Sequence, residues 1–225
     1  MAKIKFDEVG SRFFETGVSH GVLYVQDEVG KYKGVAWNGL TSVSESPEGA
    51  EVSKIYASDS VYLNLMSPEE LNLTIEAYTY PDEFEECDGS KGPAKGVTFG
   101  AQTRKKFAFS YQSKIGNDED AELGYKIHIV YGCLAAPSER SRETVNDSPE
   151  AMTMSWEIST TPIAFEEGSG YKPTAHVVID SRAFIKDGVK DAKLKTIEDT
   201  LYGTDEKEPT LLTPAEILEM FKIAG

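Results

Sequence analysis

Apolar residues alternating with polar ones, in short runs broken by Gly, Asn, Asp and Pro, restrict the fold of this 225-residue chain more than any other feature. A period of two fits a pleated strand, whose successive side chains point to opposite faces; a helix would spread the same pattern around its circumference. In Leu71-Asn72-Leu73-Thr74-Ile75-Glu76-Ala77-Tyr78, the residues Leu71, Leu73, Ile75 and Ala77 share one face while Asn72, Thr74 and Glu76 share the other. This run predicts a strand with one buried and one wet face. Residues 107–111, 127–131 and 152–158 repeat the pattern, and 22–26, 35–44, 61–65, 97–99 and 175–179 carry it more weakly. About nine strands are expected, enough for a mainly β fold in which two largely antiparallel sheets pack as a β-sandwich.

The segments between these runs read as turns and loops. Residues 115–124 suit a long hairpin loop, and Ser44-Glu45-Ser46-Pro47-Glu48-Gly49-Ala50-Glu51 predicts an exposed, mobile loop, with a third at 136–143. Helical spacing gathers near the C-terminal end. Leu194, Ile197 and Leu201 recur at i, i+3 and i+7 within 189–202 and Gly203 supplies a stop, while Thr213-Pro214-Ala215-Glu216 is a capping box with Pro at the first helical position. The expected organisation is one domain over 1–225, with an N-terminal segment at 1–34 and a helical segment at 186–225. A folded monomer of 24.7 kDa is expected to expose about 10,000 Å².

With 38 acidic and 23 basic residues the formal charge is −15 and the pI is near 4.7. Such a polyanion is not expected to hold nucleic acid by neutralising phosphates. Neither the apolar core of a signal peptide nor an 18-residue apolar run is present. The expectation is a protein made and kept in the cytoplasm with no membrane partner. Two cysteines, Cys87 and Cys133, are too few for a disulfide scaffold or a four-cysteine zinc site, and both are expected as free thiols.

Motifs that carry chemistry are missing. His20, His128 and His176 lack ligand spacing and are expected as structural or surface residues, so no metal, cofactor or catalytic site is predicted. The acidic groups at 82–88 and 118–120 do not match a calcium loop. Gly168-Ser169-Gly170 fits neither phosphate-binding pattern, and the nucleophile elbow Gly-x-Ser-x-Gly is absent. The chain is therefore expected not to be an enzyme. A pair of hydrolytic carboxylates would leave no trace in the sequence, and an acidic hydrolase stays open as an alternative.

At Glu76-Ala77-Tyr78-Thr79-Tyr80-Pro81-Asp82-Glu83-Phe84 the sequence resembles the major tail tube proteins of long-tailed bacteriophages with non-contractile, siphovirus-type tails. Residues 56–65, Gly100-Ala101-Gln102-Thr103-Arg104-Lys105-Lys106-Phe107, Gly124-Tyr125-Lys126-Ile127-His128, and Val145 to Ala151 followed by Ser155-Trp156-Glu157 belong to the same pattern. So do Leu201-Tyr202-Gly203-Thr204 and Leu211-Leu212-Thr213-Pro214, and the likeness spans roughly residues 35–221. The resemblance implies a β-sandwich with a flanking helix and a long inter-strand loop, assembled as stacked hexameric rings into the hollow tail of a virion. The implied partners are further copies of the chain, the tape measure protein, and the tail tip and terminator proteins, with DNA passing through untrapped.

A lumen that lets a polyanion pass should repel phosphate, which suits the charge of −15. On that picture Asn72, Thr74 and Glu76 are expected to line the lumen. The loop residues Ser46, Pro47, Glu48, Gly49 and Glu51 are expected to reach the next ring. The alternative is a receptor- or carbohydrate-binding sandwich of a virion, for which Tyr78, Tyr80 and Phe84 would be an aromatic platform.

Overall fold

A computed structural model describes residues 4–222, apart from 68, 95, 139, 143, 145–150, 167 and 187. The resemblance motif at 145–150 thus lies outside the described residues. The first strands are β1 (Phe14–Gln26), β2 (Tyr32–Trp37), β3 (Leu40–Gly49), β4 (Val52–Ala57), β5 (Ser60–Met66) and β6 (Glu69–Ala77). After them come β7 (Lys91–Ala94), β8 (Val97–Phe99), β9 (Phe107–Gly116), β10 (Gly124–Ala135), β11 (Met154–Ser159) and β12 (His176–Asp180). Two short strands, β13 (Ile185–Lys186) and β14 (Val189–Lys190), precede helices α1 (Ala192–Leu201) and α2 (Pro214–Phe221).

Two antiparallel sheets face each other, as the alternation predicts. The first has the order β2-β1-β9-β10-β12, and the second runs β3-β6-β11 and ends on the last residues of β10. Strand β10 serves both sheets: Lys126 to Val130 pair with β9 and β12, then Leu134 and Ala135 pair with Ser159 and Ile158 of β11. The switch occurs at a register break beside Gly132, whose φ is 60°. A Cβ there would lie 2.2 Å from the Thr161 carbonyl oxygen, and the Thr161 N–H donates to the Gly132 carbonyl at 3.0 Å. Only glycine satisfies both the positive φ and the close approach.

Leu23, Phe107, Phe109 and Val130 of the first sheet meet Leu73, Ile75, Ala77, Trp156 and Ile158 of the second, with Trp37 and Phe84 filling the middle. Phe84 and Trp156 meet edge to face, 5.3 Å apart at 80°, an orientation that pairs ring edge with ring face. On its outer side the first sheet carries Tyr24, Ala108, Ile127, Ile129 and Tyr131 against Leu194, Ile197 and Leu201 of α1 and Ile217 of α2. Strand β9 is buried on both faces along almost its whole length, and β10 from Ile127 to Tyr131, because the other sheet covers one face and the helices the other. Tyr24 donates to the Leu201 carbonyl at 2.9 Å and Tyr131 to that of Leu212 at 2.8 Å, which satisfies the phenols against the helical layer. Asp191 caps α1, so that helix starts three residues after the expected 189, and the capping box of Thr213 and Glu216 opens α2.

Several expectations need correction. Residues 46–49 are not a loop: β3 continues through them in register with β6, pairing Ser46 with Asn72, Pro47 with Leu71, Glu48 with Glu70 and Gly49 with Glu69. The missing N–H of Pro47 is tolerated because, among the described residues, β3 pairs with β6 alone and forms a sheet edge. The expected 35–44 strand is broken at Gly39, φ 75°, into β2 and β3. Residues 52–57, which the alternation did not mark as a strand, form β4. Phe84 is fully buried and Tyr80 packs on the same core, so they make no exposed platform with Tyr78. Finally, the chain exposes 15153 Å², about half again the area expected for a compact monomer of this mass.

Candidate functional site

The outer face of the second sheet is polar. Antiparallel partners in register share a face, so Glu76 lies beside Ser42 and Ser155, Thr74 beside Ser44 and Glu157, and Asn72 beside Ser46 and Ser159. Leu73, Ile75 and Ala77 alternate with them into the core. The helices cover the first sheet instead. Asn72, Thr74 and Glu76 are thus brought together, half-buried, in a hydroxyl-rich field with two carboxylates. Ser46 joins this field; Glu48 and Gly49 lie at its far end, and Glu51 lies beyond it, just before β4.

Between β3 and β6 the chain leaves the sandwich. Among the described residues strands β4 and β5 pair only with each other, through a turn at Ser58 and Asp59 whose φ values of 51° and 58° match the tight hairpin class that follows strand twist. Every residue of the two strands is exposed. The exposed set includes Tyr62 at 71 %, Met66 at 69 %, Tyr56 at 66 % and Leu65 at 54 %. A two-stranded ribbon with no covered face is at best marginal in water alone.

A third feature was invisible in the sequence. Beyond the aromatic core, polar residues fill the space between the sheets. Glu45 of β3, His128 of β10 and His176 of β12 converge there: Glu45 Oε1 lies 3.5 Å from His128 Nδ1 and 3.3 Å from His176 Nε2, and the two nitrogens are 3.3 Å apart. Tyr111 donates to Glu45 Oε1 at 2.5 Å and stacks on His128. On the far side of that ring, His128 Nε2 lies 3.0 Å from Ser113 Oγ and 3.4 Å from Glu15 Oε1. Ser113 donates to Glu15 and Lys126 pairs with it.

Burial pushes the Glu45 carboxyl up, yet the His128 and Tyr111 hydrogen bonds and the two imidazoles outweigh it and hold it down at about 2. Burial lowers His176 against the pull of Glu45, which favours its neutral form. His128 and His176 thus belong to one polar network between the sheets, and His20 lies apart beside Tyr202. The three cluster positions stand 83 and 48 residues apart, so no spacing motif announces them; the available signal was Glu45, two residues from Val43 and on the same inward face of β3.

Cys87 and Cys133 are both buried free thiols. Burial, reinforced by Glu86, pushes Cys87 up to about 12, and burial raises Cys133 further, which leaves neither as a nucleophile at neutral pH. Among the described residues no helix is long and apolar enough to cross a membrane.

No family model matches the chain, and no curated protein matches it. Among solved structures, a chain of the six-fold symmetrised cryo-EM structure of the anti-feeding prophage baseplate is similar, with 10 % identity and a TM-score of 0.36 over 78 % of this chain and 97 % of that one. A superposition this loose leaves function to be read from the chain's own residues.

Proposed function

We propose that the chain is a structural tail tube subunit of a long-tailed phage, forming stacked hexameric rings that enclose a tape measure protein and conduct DNA at ejection. The observation that carries this reading is the β4–β5 hairpin, whose apolar side chains are exposed and which no other element covers among the described residues. Seated on a neighbouring copy it would bury them, and it takes over the inter-ring role expected of Ser46, Pro47, Glu48, Gly49 and Glu51. The polar face of Asn72, Thr74 and Glu76 suits a wet lumen, because serines, threonine and glutamates offer phosphate no cation. The open edge of β3 offers a place for pairing between subunits, and ring closure would cover it. Tail tip and terminator proteins would bound the tube, in a virion assembled in a bacterial cytoplasm.

Negative-stain electron microscopy of the purified protein tests the reading, without and with tail-tip seeds. Hollow tubes or ring stacks of uniform width are expected. A ring would carry about −90, six times the subunit charge, so growth is expected to improve with salt screening. Particles that stay monomeric even when seeded overturn the reading.

A further inference from the structure

We propose that Glu45, His128 and His176 form a binding site for a divalent transition metal, zinc by preference, that ties the two sheets together. The three donor atoms make a triangle with edges of 3.3, 3.3 and 3.5 Å. A tetrahedral ion with bonds of 2.0–2.1 Å to nitrogen and oxygen spaces its ligand atoms ~3.3–3.4 Å apart. The donor set, two imidazoles and one carboxylate, selects zinc and its first-row neighbours over magnesium or calcium.

The surrounding hydrogen bonds orient the donors. Ser113 gives its hydroxyl proton to Glu15, so its oxygen accepts from His128 Nε2–H. With that proton on Nε2, the lone pair of Nδ1 is free for an ion seated between Glu45 and His176, which would replace the hydrogen bond to Glu45. Glu15 stands behind His128 as the carboxylate that commonly supports a metal-bound imidazole. Tyr111 fixes the Glu45 oxygen. Neutral His176 offers the lone pair of Nε2 in the tautomer that keeps its proton on Nδ1, so the ring takes up the ion without losing a proton. A cleft of about 310 Å³, bordered by Glu15, Gly17, Glu45, Tyr111 and His128, gives the ion and a fourth ligand access.

Glu45 belongs to the second sheet and both histidines to the first, so the ion would cross-link the sandwich at the end where apolar contact gives out. It would also anchor β3, which leads into the β4–β5 hairpin. The inference does not depend on the tail tube reading.

The test is a titration of chelator-treated full-length protein with Co²⁺ and Zn²⁺. We expect one equivalent per chain, intense visible d–d bands of four-coordinate Co²⁺, and a higher melting temperature with Zn²⁺ that excess Mg²⁺ does not reproduce. His176→Gln and Glu45→Gln should each weaken binding at least tenfold, Glu15→Gln roughly 10–100-fold, and His20→Gln should leave it unchanged. Affinity retained in His176→Gln would overturn the site. Weak octahedral-type Co²⁺ absorption in the wild-type protein would also overturn it, independently of whether the variants fold.

Discussion

The β4–β5 hairpin and strand β6 follow one another in the chain and draw on similar residues, yet they end in opposite surroundings. In β6, Leu73, Ile75 and Ala77 are buried, and Asn72, Thr74 and Glu76 meet register partners. In the hairpin, Val52, Ile55, Tyr56, Val61, Tyr62, Leu65 and Met66 are all exposed. β-propensity forms both ribbons, while stability comes from a covered face. The difference teaches that apolar residues in the sandwich serve folding, while those in the hairpin do not; on the proposed reading they serve contact with another copy of the chain.

Substitutions should separate the two roles. The largest effect belongs to the core: Trp156→Ala removes a fully buried ring from the Trp37–Tyr80–Phe84 cluster and should lower stability by about 3–5 kcal/mol, read as a shifted urea midpoint. Gly132→Ala comes next, since a Cβ at positive φ against the Thr161 carbonyl should cost about 2–4 kcal/mol. If Gly132→Ala were neutral, the crossover of β10 between sheets would be mispositioned. The triple change Tyr62→Ser, Leu65→Ser, Met66→Ser should alter subunit stability by less than about 0.5 kcal/mol and yet abolish tubes in seeded growth. Tubes unchanged by it would end the comparison, because the hairpin would then be ornament.

The smallest effect is chemical. With Cys87 pushed up to about 12 by burial and Cys133 higher still, DTNB at pH 8 should label both thiols only as fast as the chain opens. Labelling within the mixing time would show that this side of the core breathes as freely as the hairpin.

Strands with one wet face were legible in the sequence, since Leu71 to Ala77 alternates without a break and β11 does so around Trp156. The capping box at Thr213 and the stripe of Leu194, Ile197 and Leu201 were equally plain. Strand β4 was not, because a ribbon wet on both faces has no reason to alternate. The end of β3 was hidden by Pro47 and Gly49, whose turn preference is overridden by pairing with β6. The Glu45–His128–His176 cluster lay out of reach for another reason: it exists only once both sheets are stacked.

The passage of β10 through both sheets has a mechanical meaning. Sandwich sheets joined only by side-chain contact can slide over one another, since apolar packing resists separation better than shear. Here one covalent backbone is hydrogen-bonded into each sheet, with its bend locked where the Thr161 N–H holds the Gly132 carbonyl. A load applied to the polar sheet therefore reaches the helix-covered sheet along a peptide chain. The β4–β5 hairpin, which pairs with neither sheet among the described residues, lies outside that path.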